Sequence, residues 1–224
     1  MKRKALLIFA DPVGLDLARR RWPRFLRPLL SVPGLQSASS DADFHLFSST
    51  QPAVLPGIRN HAQHGATFDE RLETAIEKIG ALGYEEAVIV GSDCPSLHPS
   101  DIAEAFTQLR EKRLVLGPDH RGGCYLIALR LDDRALLEGI RWNRDTDRAQ
   151  LCGRLAAREI ALLAVKQDVD TWADLRLLAR SGHSLARLAI VLFQIGKTTH
   201  EFFVDLTAQN VRVRGQMPPP AWAR

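Results

Sequence analysis

Apolar residues gather along the chain in short runs bounded by turn residues, at positions 5–10, 44–48, 87–91, 113–117, 124–129 and 160–165. Runs of this length predict strands, and strands apolar throughout predict burial on both faces. Between several of them the spacing changes to that of a helix. Positions 68–82 put Leu72, Ala75, Ile76 and Ile79 on one stripe, and Thr67 with Glu70 three residues later forms a capping box that fixes the start. Pro99 suits the first turn of a second helix carrying Ile102, Ala105, Phe106 and Leu109. Thr171 with Asp174 begins a third, running to about Arg180.

Strands alternating with helices predict an α/β fold of three layers, a mostly parallel sheet with helices on both faces. Ligands in such sheets bind outside the carboxyl ends of the strands. That directs attention to residues 10–14, 91–95, 117–123 and 168–171. The pattern changes after Ser181-Gly182, where an apolar helix over 184–195 is followed by Phe202, Phe203 and a Pro218-Pro219-Pro220 stretch. Residues 1–180 are therefore expected to form one domain, and residues 181–224 a helical appendage packing on it or pairing two copies in a homodimer.

The 224 residues are 46% hydrophobic and 25% charged, a balance that excludes disordered, collagenous and coiled-coil chains. The formal charge of +4 belongs to the tail, since from Arg180 onward six basic residues face two acidic ones. A neutral body argues against a nucleic-acid partner, and the one dense basic cluster, Arg19, Arg20, Arg21, Arg24 and Arg27, falls in a predicted helix whose solvated face accounts for it. Cys94, Cys124 and Cys152 form no CxxC pair, so neither a disulfide framework nor a zinc site is expected, and a reducing cytoplasm is the simplest home. Asp11 and Pro12 cut short the apolar start, which argues against a secretory signal, and no apolar stretch reaches the roughly 18 residues of a membrane span.

The sharpest candidate chemistry lies in Val88-Ile89-Val90-Gly91-Ser92-Asp93-Cys94-Pro95, a buried strand ending in a carboxylate. A lone Asp there caps a loop more often than it binds metal. A second acidic strand end, Asp168-Val169-Asp170-Thr171, changes the balance, because carboxylates from two strand ends could share Mg²⁺ or Mn²⁺, hard cations that also carry phosphate oxygens. Gly196-Lys197-Thr198 lacks the earlier glycine of a P-loop and follows a helix, so it is set aside. His61 and His64 fall in a polar loop and read as surface histidines; Cys94, beside a carboxylate, reads as a packing residue. Trp142 could line a pocket or belong to the core.

Four motifs in order then carry a resemblance: Gly91-Ser92-Asp93-Cys94-Pro95, Leu116-Gly117-Pro118-Asp119-His120-Arg121-Gly122-Gly123-Cys124-Tyr125-Leu126-Ile127, Gly139-Ile140-Arg141-Trp142-Asn143, and Asp168-Val169-Asp170-Thr171-Trp172-Ala173-Asp174-Leu175. Residues 4 to 180 resemble the GT-A-like rSAM/selenodomain-associated transferases, a glycosyltransferase-like group related in fold to nucleotide-diphospho-sugar transferases and to molybdopterin and phospholactate nucleotidyltransferases. The resemblance implies Asp93, Asp170 and Asp168 as metal ligands for Mg²⁺ or Mn²⁺, and Arg19, Arg21 and Ser92 on the nucleotide phosphates. It further implies an acceptor-side loop of Asp119, Gly122, Gly123 and Tyr125. The chain departs from the group where Arg121 replaces an Asp before the two glycines, and where Asp11 and Asp16 replace Lys and Gly in the first loop.

The function these residues imply is metal-dependent transfer from a nucleotide-activated sugar to a small acceptor. Two alternatives stand beside it: a nucleotidyltransferase joining a nucleoside triphosphate to a small phosphorylated acceptor, and a diverged non-catalytic ligand-binding protein. The sequence names no general base.

Overall fold

The computed structural model describes residues 3–10, 41–48, 57–91, 93–94, 96–168, 174, 176–177 and 180. Seven strands form one sheet: β1 (Lys4–Ala10), β2 (Ala42–Ser48), β3 (Ile58–Ala62), β4 (Glu86–Gly91), β5 (Leu114–Pro118), β6 (Cys124–Arg130) and β7 (Ile160–Leu162). Their order is β3-β2-β1-β4-β6-β5-β7. β1 pairs in parallel with β2 and β4, β2 with β3, and β5 with β7, whereas β6 runs antiparallel to both β4 and β5. The expected α/β fold with a mostly parallel sheet is thus the observed one, with β6 as the reversed strand.

The apolar runs are explained by burial on both faces. Along β1, Ala5, Leu7 and Phe9 join one core while Leu6 and Ile8 join the other. The first core is covered by helix α1 (Phe68–Ala81) through Leu72, Ala75, Ile76 and Ile79, and the second by α2 (Pro99–Gln108) through Ile102, Ala105 and Phe106. Both helices start where the sequence says they should. Thr67 accepts the Glu70 N–H at 3.1 Å and the Glu70 carboxylate accepts the Thr67 N–H. At α2 the cap is His98, whose Nδ1 accepts the Ser100 N–H while Asp101 accepts the His98 N–H at 2.6 Å.

Two elements depart from the sequence reading. β3 was expected as polar loop, because Ile58-Arg59-Asn60-His61-Ala62 is too polar to read as a strand; it is an edge strand, which needs only one apolar anchor, Ile58. His61 is accordingly not a surface histidine of a loop. It is half-buried, and its Nε2 lies 2.9 Å from Nδ1 of the buried His45 on β2. Burial, then the neighbouring His61, holds His45 down to about 4. A short helix, α3 (Asp147–Cys152), also went unforeseen. No helix among the described residues is long and apolar enough to cross a membrane. Residues 181–224, expected as an appendage, lie outside the described residues.

Candidate active site

The parallel strands bring their carboxyl ends to one edge, and the reversal of β6 brings its first residues there too. Gln63 ties this edge together: its Nε2 donates to the carbonyls of Ala10 at 3.0 Å, the last residue of β1, and of Phe47 at 3.1 Å, next to the end of β2. Beyond the strand ends opens a cavity of about 390 Å³. Five carboxylates line it, Asp93, Asp119, Asp145, Asp147 and Asp168, together with an apolar side that includes Phe9, Phe68, Leu72 and Trp142. Arg121 is the one basic side chain among the described lining residues.

Asp119 directly follows β5 and builds a turn. Its Oδ1 accepts the backbone N–H groups of Arg121 at 2.7 Å, Gly122 at 2.7 Å and Gly123 at 2.9 Å. The glycines are required by that geometry. Gly122 has φ +116° and a Cβ there would strike the Asp145 carbonyl, while a Cβ on Gly123 would stand 2.6 Å from Asp119 Oδ2. Arg121, where the chain departs from the resemblance, directs its guanidinium to the Asp174 carboxylate at 3.4 Å. Tyr125, which the resemblance counts with this loop and the apolar run 124–129 places in a strand, is the second residue of β6 and lines the cavity. Its ring lies across Gly117 and its hydroxyl donates to the Ala164 carbonyl at 3.0 Å.

Asp93 and Asp168 reach the cavity from two separate strand ends, the first just past β4 and the second following β7. Cys94 sits between them, 1% exposed, and shares a hydrogen bond with Asp168. Burial, then the charge of Asp168, pushes the Cys94 thiol up, so it packs rather than reacts. Asp168 is 8% exposed and its Oδ1 has no hydrogen-bond partner. Burial first, then the negative charges of Asp93 and Asp119, push its carboxyl up to about 8. Lys166, two residues earlier, anchors this segment to the start of α2 through Asp101 at 3.0 Å and the Ser96 carbonyl at 2.9 Å. Among the described residues no group of three or more His, Cys, Asp or Glu is arranged as a metal cluster.

A further wall carries two residues the sequence reading does not single out, Asp145 and Asp147, beside Trp142 and Asn143. Residues 142–147 fold back over the Gly122-Gly123 turn, with the Arg148 N–H donating to the Gly122 carbonyl at 3.3 Å. Asn143 and Asp145 adopt left-handed backbone, φ 58° and 55°, and the buried Asp147 carboxylate accepts the N–H groups of Arg144 and Asn143. The signal available was Asn143-Arg144-Asp145-Thr146-Asp147, three residues tolerant of that conformation packed into five. Of the remaining residues singled out, Arg19, Arg21, Ser92 and Asp170 lie outside the described residues.

Residues 33–144 match the model of a family described as an uncharacterized protein conserved in bacteria, DUF2064. The chain belongs to this family. No curated protein matches it. Among solved structures, a Desulfovibrio desulfuricans G20 protein provisionally named a nucleotide-diphospho-sugar transferase is 25% identical, with TM-score 0.68 over 87% of this chain and 98% of its own. Rv0371c of Mycobacterium tuberculosis H37Rv, solved as a complex with manganese, is 14% identical, with TM-score 0.57 over 80% and 100%. A 4-diphosphocytidyl-2C-methyl-D-erythritol synthase of Anaerococcus prevotii DSM 20548 is 11% identical, with TM-score 0.51 over 80% and 96%. The chain of this DUF2064 member thus has the α/β fold of nucleotide-diphospho-sugar transferases.

Proposed function

We propose that the protein is a metal-dependent transferase that takes a sugar from a nucleotide-activated donor and passes it to a small acceptor. The observation that carries this reading is the pairing of Asp93 with Asp168, carboxylates from two strand ends that line one cavity, one of them with a buried oxygen lacking any partner. The donors present fit Mg²⁺ or Mn²⁺. Such cations take one or two protein carboxylates and complete their shell with phosphate oxygens and water, so a two-carboxylate site without a third protein ligand suits a metal that arrives with a diphosphate. When bound, the ion supplies neutralising charge to the diphosphate as it departs.

The chain's own residues do the rest. Asp93 and Asp168, with Asp170 as a further candidate, hold the cation; Arg19, Arg21 and Ser92 are the candidates for contact with the phosphates. The Asp119 turn fixes the wall opposite, and the Phe9, Phe68 and Trp142 side keeps water from part of the cavity. Rate enhancement comes from positioning and charge rather than from covalent chemistry, since the one cysteine between the carboxylates is kept as a thiol. Support from related folds is consistent: the manganese complex of Rv0371c and the nucleotide-sugar name of the Desulfovibrio protein belong to chains that share this sheet.

The test is product release from nucleotide donors in the presence of Mn²⁺. A nucleoside diphosphate released from a sugar nucleotide supports the reading. Pyrophosphate released from a nucleoside triphosphate overturns it in favour of nucleotidyl transfer.

A further inference from the structure

Resting on the transferase reading above, we propose that Asp147 is the proton acceptor for the incoming nucleophile, and that the acceptor therefore presents a neutral hydroxyl group rather than a phosphate. Three independent features lead there. First, the carboxylate is aimed and unspent: Asp147 is 8% exposed and lines the cavity, and its Oδ1 has no hydrogen-bond partner while the backbone N–H groups of Arg144 and Asn143 hold the group in place. An unpaired buried carboxylate oxygen is costly unless a ligand completes it.

Second, the backbone around it is held in an unfavourable shape to bring it there. Asn143 and Asp145 both take left-handed conformations, and this segment comes so close to the neighbouring turn that a Cβ on Gly122 would stand 2.4 Å from the Asp145 carbonyl oxygen. Backbone strain of this kind persists where the surroundings over-determine it, and it concentrates at working sites. Third, the other carboxylates of the cavity are committed elsewhere. Asp119 is consumed by three backbone N–H groups, Asp93 and Asp168 form the cation pair, and Asp145 is exposed to solvent.

The charged groups acting on Asp147 are Asp119, just past β5, and Asp145 in its own loop, and the neutral Cys124 thiol at the start of β6 faces it as well. Burial is the largest influence, and with the two carboxylates it pushes Asp147 up to about 6, against the pull of the two backbone N–H groups. A base in that range is ionised at neutral pH and still able to take a proton. The same surroundings disfavour an anionic acceptor, since Asp119 and Asp145 act on the Asp147 side of the cavity and Arg121, the single guanidinium among the described lining residues, is paired with Asp174.

In the step proposed, the acceptor O–H proton passes to an Asp147 oxygen and the freed oxygen lone pair forms the bond to the anomeric carbon of the donor. The bond from that carbon to the diphosphate oxygen breaks, and its electrons leave on the nucleoside diphosphate. Atoms and charges balance without a further reactant.

The experiment uses the full chain with Mn²⁺, UDP-glucose and GDP-glucose as donor probes, and water, glycerol and glycerol 3-phosphate as nucleophiles. Calorimetry with Mn²⁺ and the corresponding nucleoside diphosphates runs beside it. The expected result is a wild-type rate profile with an acidic limb near pH 6 and preference for glycerol over glycerol 3-phosphate. Asp147→Asn is expected to lose about 100-fold or more in turnover together with that limb, while nucleotide affinity stays within about twofold. With Mn²⁺ kept saturating at every pH, so that the Asp168 proton is displaced throughout, the wild-type profile decides the matter even if the variant does not accumulate. Nucleotide binding with no acidic limb, unchanged turnover in Asp147→Asn, or preference for glycerol 3-phosphate overturns the inference and spares the transferase reading. Absence of Mn²⁺-dependent nucleotide binding in the wild type removes both.

Discussion

Asp119 and Gly123 lock each other in place: the Gly123 N–H donates to Asp119 Oδ1 at 2.9 Å, and a Cβ on Gly123 would stand 2.6 Å from Oδ2 of the same carboxylate. Asp119 cannot swing aside, because two further N–H groups hold it. Gly123→Ala is therefore expected to cost about 1–3 kcal/mol, the usual range for overpacking a rigid site. Chemical denaturation checks this, and a loss below about 0.5 kcal/mol would contradict a rigid turn.

A second relationship on the sheet predicts non-additivity. A side chain on Gly117 would meet the Tyr125 ring at 2.5 Å, and that ring is anchored by the bond from its hydroxyl to the Ala164 carbonyl. Gly117→Ala is expected to destabilise the wild type by about 1–3 kcal/mol but to cost far less in a Tyr125→Ala background. Stability measurements on the four proteins of the cycle test it; equal losses in both backgrounds would show that the ring yields.

The fold was legible because its signals are local. Thr67 with Glu70 sets the start of α1, Pro99 marks the first turn of α2, and the apolar runs of β1, β4, β5 and β6 need burial on both faces. β3 was not legible because an edge strand can be polar, and its place comes from pairing with β2 across the chain. Asp93 and Asp168 stand out in sequence since each follows a strand. Asp147 follows none, and only the left-handed turns at Asn143 and Asp145 bring it to the same cavity.

Protonation of Asp168 links stability, pH and metal. With a folded value of about 8 against an unfolded value near 3.8, the folded protein retains a proton that the unfolded chain has lost across that window, so this group makes stability fall as pH rises. Asp147 acts in the same direction up to about 6. His45, held down to about 4 from 6.5, acts oppositely below 6.5, because there the unfolded chain takes up the proton. The window left to Asp168 is pH 6.5 to 8. Metal-free protein is expected to lose thermal stability across it, and Asp168→Asn to abolish that slope; an unchanged slope in the variant would contradict the assignment.

Because Mn²⁺ must displace the Asp168 proton, its affinity is expected to rise with pH toward 8, by up to about tenfold per pH unit. Calorimetry in two buffers of different ionisation enthalpy would register the released proton. Metal binding that is flat from pH 6 to 8 would place the cation elsewhere.

The most direct test of the central claim is calorimetric titration of nucleoside diphosphates and sugar nucleotides, with and without Mn²⁺, on the wild type, Asp93→Ala and Asp168→Ala. The account predicts nucleotide binding that requires the metal and disappears in both variants. Binding that is indifferent to metal, or that survives the loss of either carboxylate, would contradict it.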